Sequence, residues 1–194
     1  MRVERVGADE LAFRWFGGRV SLDFTATVGE RWRGRFERLR APDDLARWFV
    51  EAGIHPDAVP VSYARMRQAR YLREALYRLF RSTLDATSPD PTDIGEVNRW
   101  ATRSAPGAAL GFDRGTFTVH QPALDAAMLL AAIARDGVDL LTGPSAGRIK
   151  ECGRDDCALL FLDESRAGVR RWCSMSACGA RSKMSAYRSR QSFA

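Results

Sequence analysis

Four cysteines, Cys152, Cys157, Cys173 and Cys178, are the residues of this chain whose type and spacing best specify a chemistry. They run as C-x4-C, fifteen residues, then C-x4-C, and no other cysteine occurs in the 194 residues. Two short loops of this kind can close four soft donors around one ion at about 2.3 Å, the tetrahedron of a structural zinc site. Such a site is coordinatively closed, so one Zn2+ here is expected to supply folding energy and not a reactive metal. An iron–sulfur cluster, a redox dithiol pair and buried free thiols are the alternatives. Disulfides fit less well. The N-terminus, Met1-Arg-Val-Glu-Arg5, carries both charges and no apolar stretch, so no signal peptide is expected. A cytoplasmic location, where thiols stay reduced, follows as the expectation.

Other chemistry is sparse. His55 lies between Gly53 and Pro56, and His120 ends an extended segment, neither with an evident partner. There is no G-x-S-x-G elbow, phosphate-cradling glycine loop or H-E-x-x-H helix, so a non-enzymatic protein is expected. Asp155 and Asp156 fall inside the first cysteine loop and read as solvated surface.

The elements that must position the cysteines follow from periodicity and punctuation. Pro42 with Asp43 and Asp44 starts a helix whose apolar face is Leu45, Trp48 and Phe49, ending at Gly53. Ser62 is the N-cap of a longer helix over 63–86, with Met66, Ala69, Leu72, Leu76, Leu79 and Phe80 at helical spacing. Arginines fill its other faces, a pattern read first as solvated. A short helix follows Pro91, and residues 110–120 form a hairpin turning at Asp113-Arg114-Gly115. An apolar helix then runs from Pro122 to about Leu141, stopped by Gly143-Pro144. The segment Val20–Val28 suits strand or helix equally. No run is long and apolar enough for a membrane span. Between the cysteine pairs, 158–172 is expected to form a hairpin turning at Ser165–Gly168, and 179–190 a terminal helix. Knuckle, hairpin and knuckle at a helix start make a treble clef. The helix dipole favours the thiolates of Cys173 and Cys178, and Arg171 and Arg181 offset the charge of a zinc tetrathiolate. The fold class expected is α+β: a mainly helical N-terminal domain with a small hairpin, then a treble-clef-like finger.

Net charge is +6, carried almost wholly by arginine, since lysine occurs only at Lys150 and Lys183. Beyond Glu164 there is no acidic residue, while Arg166, Arg170, Arg171, Arg181, Lys183, Arg188 and Arg190 lie in that stretch. Seven cations beside Tyr187 on a terminal helix suit phosphate contacts, and Arg181 and Arg188 share one face. Nucleic acid is the expected partner, DNA before RNA.

Cys152-Gly-Arg-Asp-Asp-Cys157, Leu160-Phe-Leu-Asp163, Arg171-Trp-Cys-Ser-Met175 and Cys178-Gly-Ala-Arg181 resemble the CGNR zinc-finger family. Ala180 stands where that family's name-giving tetrapeptide has asparagine, and no metal ligand is affected. Gly17-Gly-Arg-Val-Ser-Leu-Asp-Phe24, Val28-Gly29 and Pro42-Asp-Asp-Leu-Ala-Arg-Trp48 resemble the ABATE domain of stress-induced transcription regulators. The resemblance implies a bacterial, DNA-binding regulator with zinc on the four cysteines, an ABATE-like domain over 1–145 and the finger over 146–194. A helical domain that precedes a finger commonly senses a ligand or builds a homodimer. Arg19, Asp23, Trp32, Arg33 and Arg35 are the candidates for lining an effector pocket. The competing reading is a small-molecule- or protein-binding module braced by its zinc.

Overall fold

The computed structural model describes residues 11–31, 36–104, 109–120 and 124–191. Its centre is the helix α3 (Tyr63–Leu84), surrounded by α1 (Val20–Thr25), α2 (Pro42–Glu51), α4 (Pro91–Ala101) and α5 (Ala126–Thr142). Each start has a local cause. The Ser62 hydroxyl accepts the Arg65 amide, Asp90 accepts that of Thr92, and Asp125 accepts that of Met128, so one otherwise orphaned N–H is satisfied at each N-terminus. Pro91 occupies the first turn of α4, so that helix begins on the proline itself. The apolar helix begins at Ala126, later than its composition suggests, because Asp125 supplies the cap. Leu22, Phe24, Leu45, Trp48, Phe49, Leu72, Leu76, Phe80, Trp100 and Leu130 form the centre of one continuous core.

The ambiguous Val20–Val28 segment divides into α1 and a two-residue strand β1 (Val28–Gly29), paired antiparallel with β2 (Phe36–Glu37). The second hairpin, β3 (Ala109–Asp113) and β4 (Thr116–His120), turns through Arg114 and Gly115, both with positive φ, as a two-residue connection requires. Its paired rings Phe112 and Phe117 stand 5.0 Å apart and face solvent.

The third hairpin differs from the sequence expectation. The partner of β6 (Leu160–Leu162) is β5 (Ile149–Glu151), which precedes the first cysteine pair, so the knuckle 152–157 forms the hairpin tip. The 163–172 segment crosses back as a loop, fixed by the Gly153 amide on the Arg171 carbonyl at 2.8 Å. Strand alternation explains this choice. Leu160, Leu162 and Ile149 enter the helical core, whereas Phe161 points to the cysteines. The finger is therefore built into the wall of the helical body. Two contacts seal it there: the Leu162 amide donates to the Gly17 carbonyl at 2.8 Å, and Arg81 of α3 pairs with Glu151.

Within the second pair, a π-helical turn (Met175–Gly179) that carries Cys178, capped by the Ser174 hydroxyl on the Ala177 amide, feeds the terminal helix α6 (Ala180–Gln191). Among the described residues, no helix is long and apolar enough to cross a membrane.

Candidate metal centre and basic terminal helix

The knuckle at the hairpin tip and the turn entering α6 bring the four cysteine sulfurs within 4.8 Å of one another. The Cys173 Sγ lies 3.9 Å from that of Cys157 and 3.6 Å from that of Cys178. A tetrahedron with arms of about 2.3 Å has edges of about 3.8 Å, so the spacing is that of four ligands to one zinc ion. It is too wide for a disulfide, whose sulfurs are bonded at about 2.05 Å, and leaves no room for a multi-iron cluster between the thiolates. Cys152, Cys173 and Cys178 are buried and Cys157 is half-buried.

Protonation follows the same logic. Without a cation only one of the four ionises readily. Cys152, accepting hydrogen bonds from the thiols of Cys157 and Cys173, is pulled down to about 2. Its thiolate then holds Cys157 at about 12 and drives Cys173 further up, while burial raises Cys178. Four adjacent thiolates require a divalent ion between them, which is how zinc binding couples to folding here. The set supplies no open coordination position and no step of a reaction.

Two features of the sequence acquire their reason in this geometry. Each knuckle reads Cys-Gly, and Trp172 packs between the two glycines. A Cβ on Gly153 would meet the Trp172 ring at 3.4 Å, and one on Gly179 would meet it at 3.3 Å. The indole thus locks the two halves of the centre together, a role that only the recurrence of Cys-Gly hinted at. Asp163, fully covered, is the second. It accepts from Lys150 Nζ at 2.6 Å, from the Ser165 amide at 3.0 Å and from the Arg170 amide at 2.9 Å. These bonds, led by the lysine, hold its carboxyl far below the ordinary range. An aspartate following three apolar strand residues was the available signal for such a buried anchor.

The seven basic residues separate into groups. The Arg170 guanidinium donates to the carbonyls of Trp172 and Cys173 and lies 4.7 Å over the Phe161 ring, so it braces the centre from within. Arg166, Arg171, Arg181, Lys183 and Arg188 are exposed, and none forms an ion pair among the described residues. Arg190 is on α6, with its side chain outside the described set. Ala180 is exposed at the start of α6, where its amide donates to the carbonyls of Ala177 and Met175.

Of the residues considered for an effector pocket, Trp32, Arg33 and Arg35 lie outside the described residues. Arg19 is engaged by Asp136 at 2.8 Å and Asp139 at 2.7 Å on α5. Asp23 accepts the Gly17 amide at 2.7 Å. Burial, reinforced by the nearby Asp136 carboxylate and opposed by that amide, raises Asp23 to about 6. Both residues brace the Gly17-Gly18 corner. The concavity beside β1 is lined by Arg14, Arg31, Arg38 and Arg181 together with Cys157, Cys173 and Cys178, so it opens onto the metal centre.

A family model described as "Putative stress-induced transcription regulator", ABATE, matches residues 18–144. The model of the CGNR zinc finger matches residues 148–191, which include all four cysteines. Among curated proteins, none matches the chain. With the larger model covering most of its length and the finger's ligands drawn together in space, the chain belongs to the ABATE family of transcription regulators and ends in a CGNR zinc finger.

Proposed function

We propose that this protein is a non-enzymatic, zinc-dependent DNA-binding regulator whose finger presents α6 to the nucleic-acid backbone. The observation that carries this reading is the set of exposed cations Arg166, Arg171, Arg181, Lys183 and Arg188, none of which makes an ion pair among the described residues. Cations left unneutralised on a rigid support are what counterion release from phosphates needs. The zinc centre and the Trp172 lock supply that support, so ordering the cationic face costs little on binding. The N-terminal domain would then serve signal sensing or assembly, in keeping with a family of transcription regulators.

Fluorescence anisotropy of labelled duplex DNA, titrated with zinc-loaded protein from 50 to 200 mM salt, tests the reading. Engagement of most of the five cations gives a log K against log salt slope of about −3 to −5. Absence of binding at 50 mM salt, or affinity indifferent to salt, would overturn it. A matched RNA duplex and single strand identify the preferred form.

A further inference from the structure

The hairpin of β3 and β4 stands out from the helical body. None of its described residues belongs to the core, and from Phe112 to Thr118 every residue is exposed. The register sets Leu110 opposite Val119 and Phe112 opposite Phe117, so positions 110, 112, 117 and 119 share one face. Every residue at those positions is apolar, whereas the other face carries Gly111, Asp113, Thr116 and Thr118. Leu110 is 77% exposed, Phe112 65% and Phe117 70%, and the two rings meet edge to face. Charge is scarce in this part of the chain. Between Arg103 and Asp125 the charged residues are Asp113 and Arg114, which cancel and lie 3.9 Å apart at the hairpin tip.

We infer that this hairpin is a dimerisation arm, whose apolar face packs against the same face of a second copy of the chain. Two strands alone are marginally stable in water, and a contiguous exposed apolar face marks a surface that a partner covers. The choice of a second copy rests on charge and on area. The chain carries a net charge of +6, so two copies repel, but an arm without net charge brings none of that excess into contact. A strongly acidic or basic partner finds nothing on the arm to neutralise. Across a two-fold axis the patch covers its own image, with the two hairpins stacked about 10 Å apart. The two rings and the leucine offer roughly 400 Å2 per chain, or about 800 Å2 for the pair. That lies under the roughly 1,200 Å2 of a stable interface, so the dimer is reversible, with a dissociation constant on the order of 10–100 μM. Two fingers held on one DNA molecule would strengthen it through effective concentration. The inference deepens the assembly role proposed above for the N-terminal domain, and the arm acts without DNA.

Analytical ultracentrifugation of the full-length, zinc-loaded protein, without DNA and up to about 200 μM, is the test. A monomer–dimer equilibrium is expected. Phe112→Ser combined with Phe117→Ser should weaken it at least tenfold, and Leu110→Ser alone several-fold, while zinc content and the thermal midpoint stay unchanged. Thr116→Ser combined with Thr118→Ser makes the matching change on the opposite face and should leave the equilibrium within about twofold. A wild type that is monomeric throughout overturns the inference. So does undiminished association in the two-phenylalanine variant, or an equal loss in the two-threonine variant. A monomeric wild type that sediments with phosphatidylglycerol vesicles, and ceases to when both rings are replaced, assigns the face to a lipid surface and overturns the inference as well. The anisotropy assay above reads the other claim separately: a protein that dimerises yet binds no DNA counts against the DNA reading alone.

Discussion

In the helical body, Arg73 is 4% exposed and lies between Glu37 and Glu74, Arg78 is engaged by Asp93, and Arg81 reaches both Asp85 and Glu151. In the zinc-bearing end, Arg166, Arg171, Arg181, Lys183 and Arg188 face solvent with no such partner among the described residues. The same side chain does opposite work in the two regions. Along α3, Arg70, Arg73, Arg78 and Arg81 tie secondary elements together, so their charge is consumed by the fold. Arg67 on the same helix is instead exposed, without an ion pair among the described residues. At the finger, metal coordination does the tying, and the surrounding positive charge remains available to a partner. An arginine-rich composition therefore says little about nucleic acid until the carboxylates are placed.

Removing the metal tests the comparison most severely. Cys173→Ser should abolish stoichiometric zinc, about one ion per chain in the wild type by atomic emission, and unravel the finger. Structural zinc contributes roughly 10–16 kcal/mol of apparent folding energy in isolated finger peptides. Hydrogen exchange should show lost protection from Cys152 through α6, with α3 and α5 retained. Chelation should reproduce that pattern. A finger that keeps its protection without metal would mean that Trp172 and Asp163 suffice, and the contrast between the regions would collapse. On the other side, Arg73→Ala leaves Glu37 without its principal partner in a mostly buried network. It is expected to cost about 3 kcal/mol in urea unfolding, as breaking a buried pair does.

How far the sequence reveals this architecture differs between the same two regions. Cysteine spacing specifies the metal, because four ligands must converge whatever the path between them. Helix caps at Ser62 and the proline of α2 are local signals, and the structure obeys them. Strand pairing in the finger is not local. The 158–172 segment has the composition of a hairpin, yet β6 chooses β5 because only that pairing places Leu160 and Leu162 in the helical core. The concavity shared by Arg31 and Arg181 depends on residues far apart in the chain, whereas the Arg170 brace uses near neighbours, Trp172, Cys173 and Phe161. Nothing in spacing could have separated Arg170 from its exposed neighbours, since the difference lies in which carbonyls and ring it meets.

A pH dependence should belong to the helical body. Asp23, chiefly through burial, has its folded-state value raised to about 6 from an ordinary 3.8. The native state therefore holds a proton that the unfolded chain releases, and stability falls as pH rises between about 4 and 6. The full shift corresponds to roughly 2–3 kcal/mol, lost by pH 7. Urea unfolding of wild type at pH 4.5 and 7 should show this component, and Asp23→Asn should remove it. An unchanged slope in that variant would place the titration elsewhere.

The smallest expected effect on stability is also the most discriminating. Arg181→Gln, Lys183→Gln and Arg188→Gln alter exposed groups without ion pairs among the described residues, so each should change unfolding free energy by no more than about 0.5 kcal/mol. If α6 contacts phosphates, each substitution at a contacting position lowers the magnitude of the salt slope by about 1 and weakens binding to all sequences alike. Arg170→Gln gives the opposite pair of results: its guanidinium donates to the carbonyls of Trp172 and Cys173, so it should destabilise the finger yet leave the salt slope of the remaining folded protein unchanged. Arg170 and the exposed Arg181 then separate, one read out in thermal unfolding and the other in salt dependence. Were both to behave alike in the two measurements, the division between charge that builds the protein and charge that it offers to a partner would not hold at the finger.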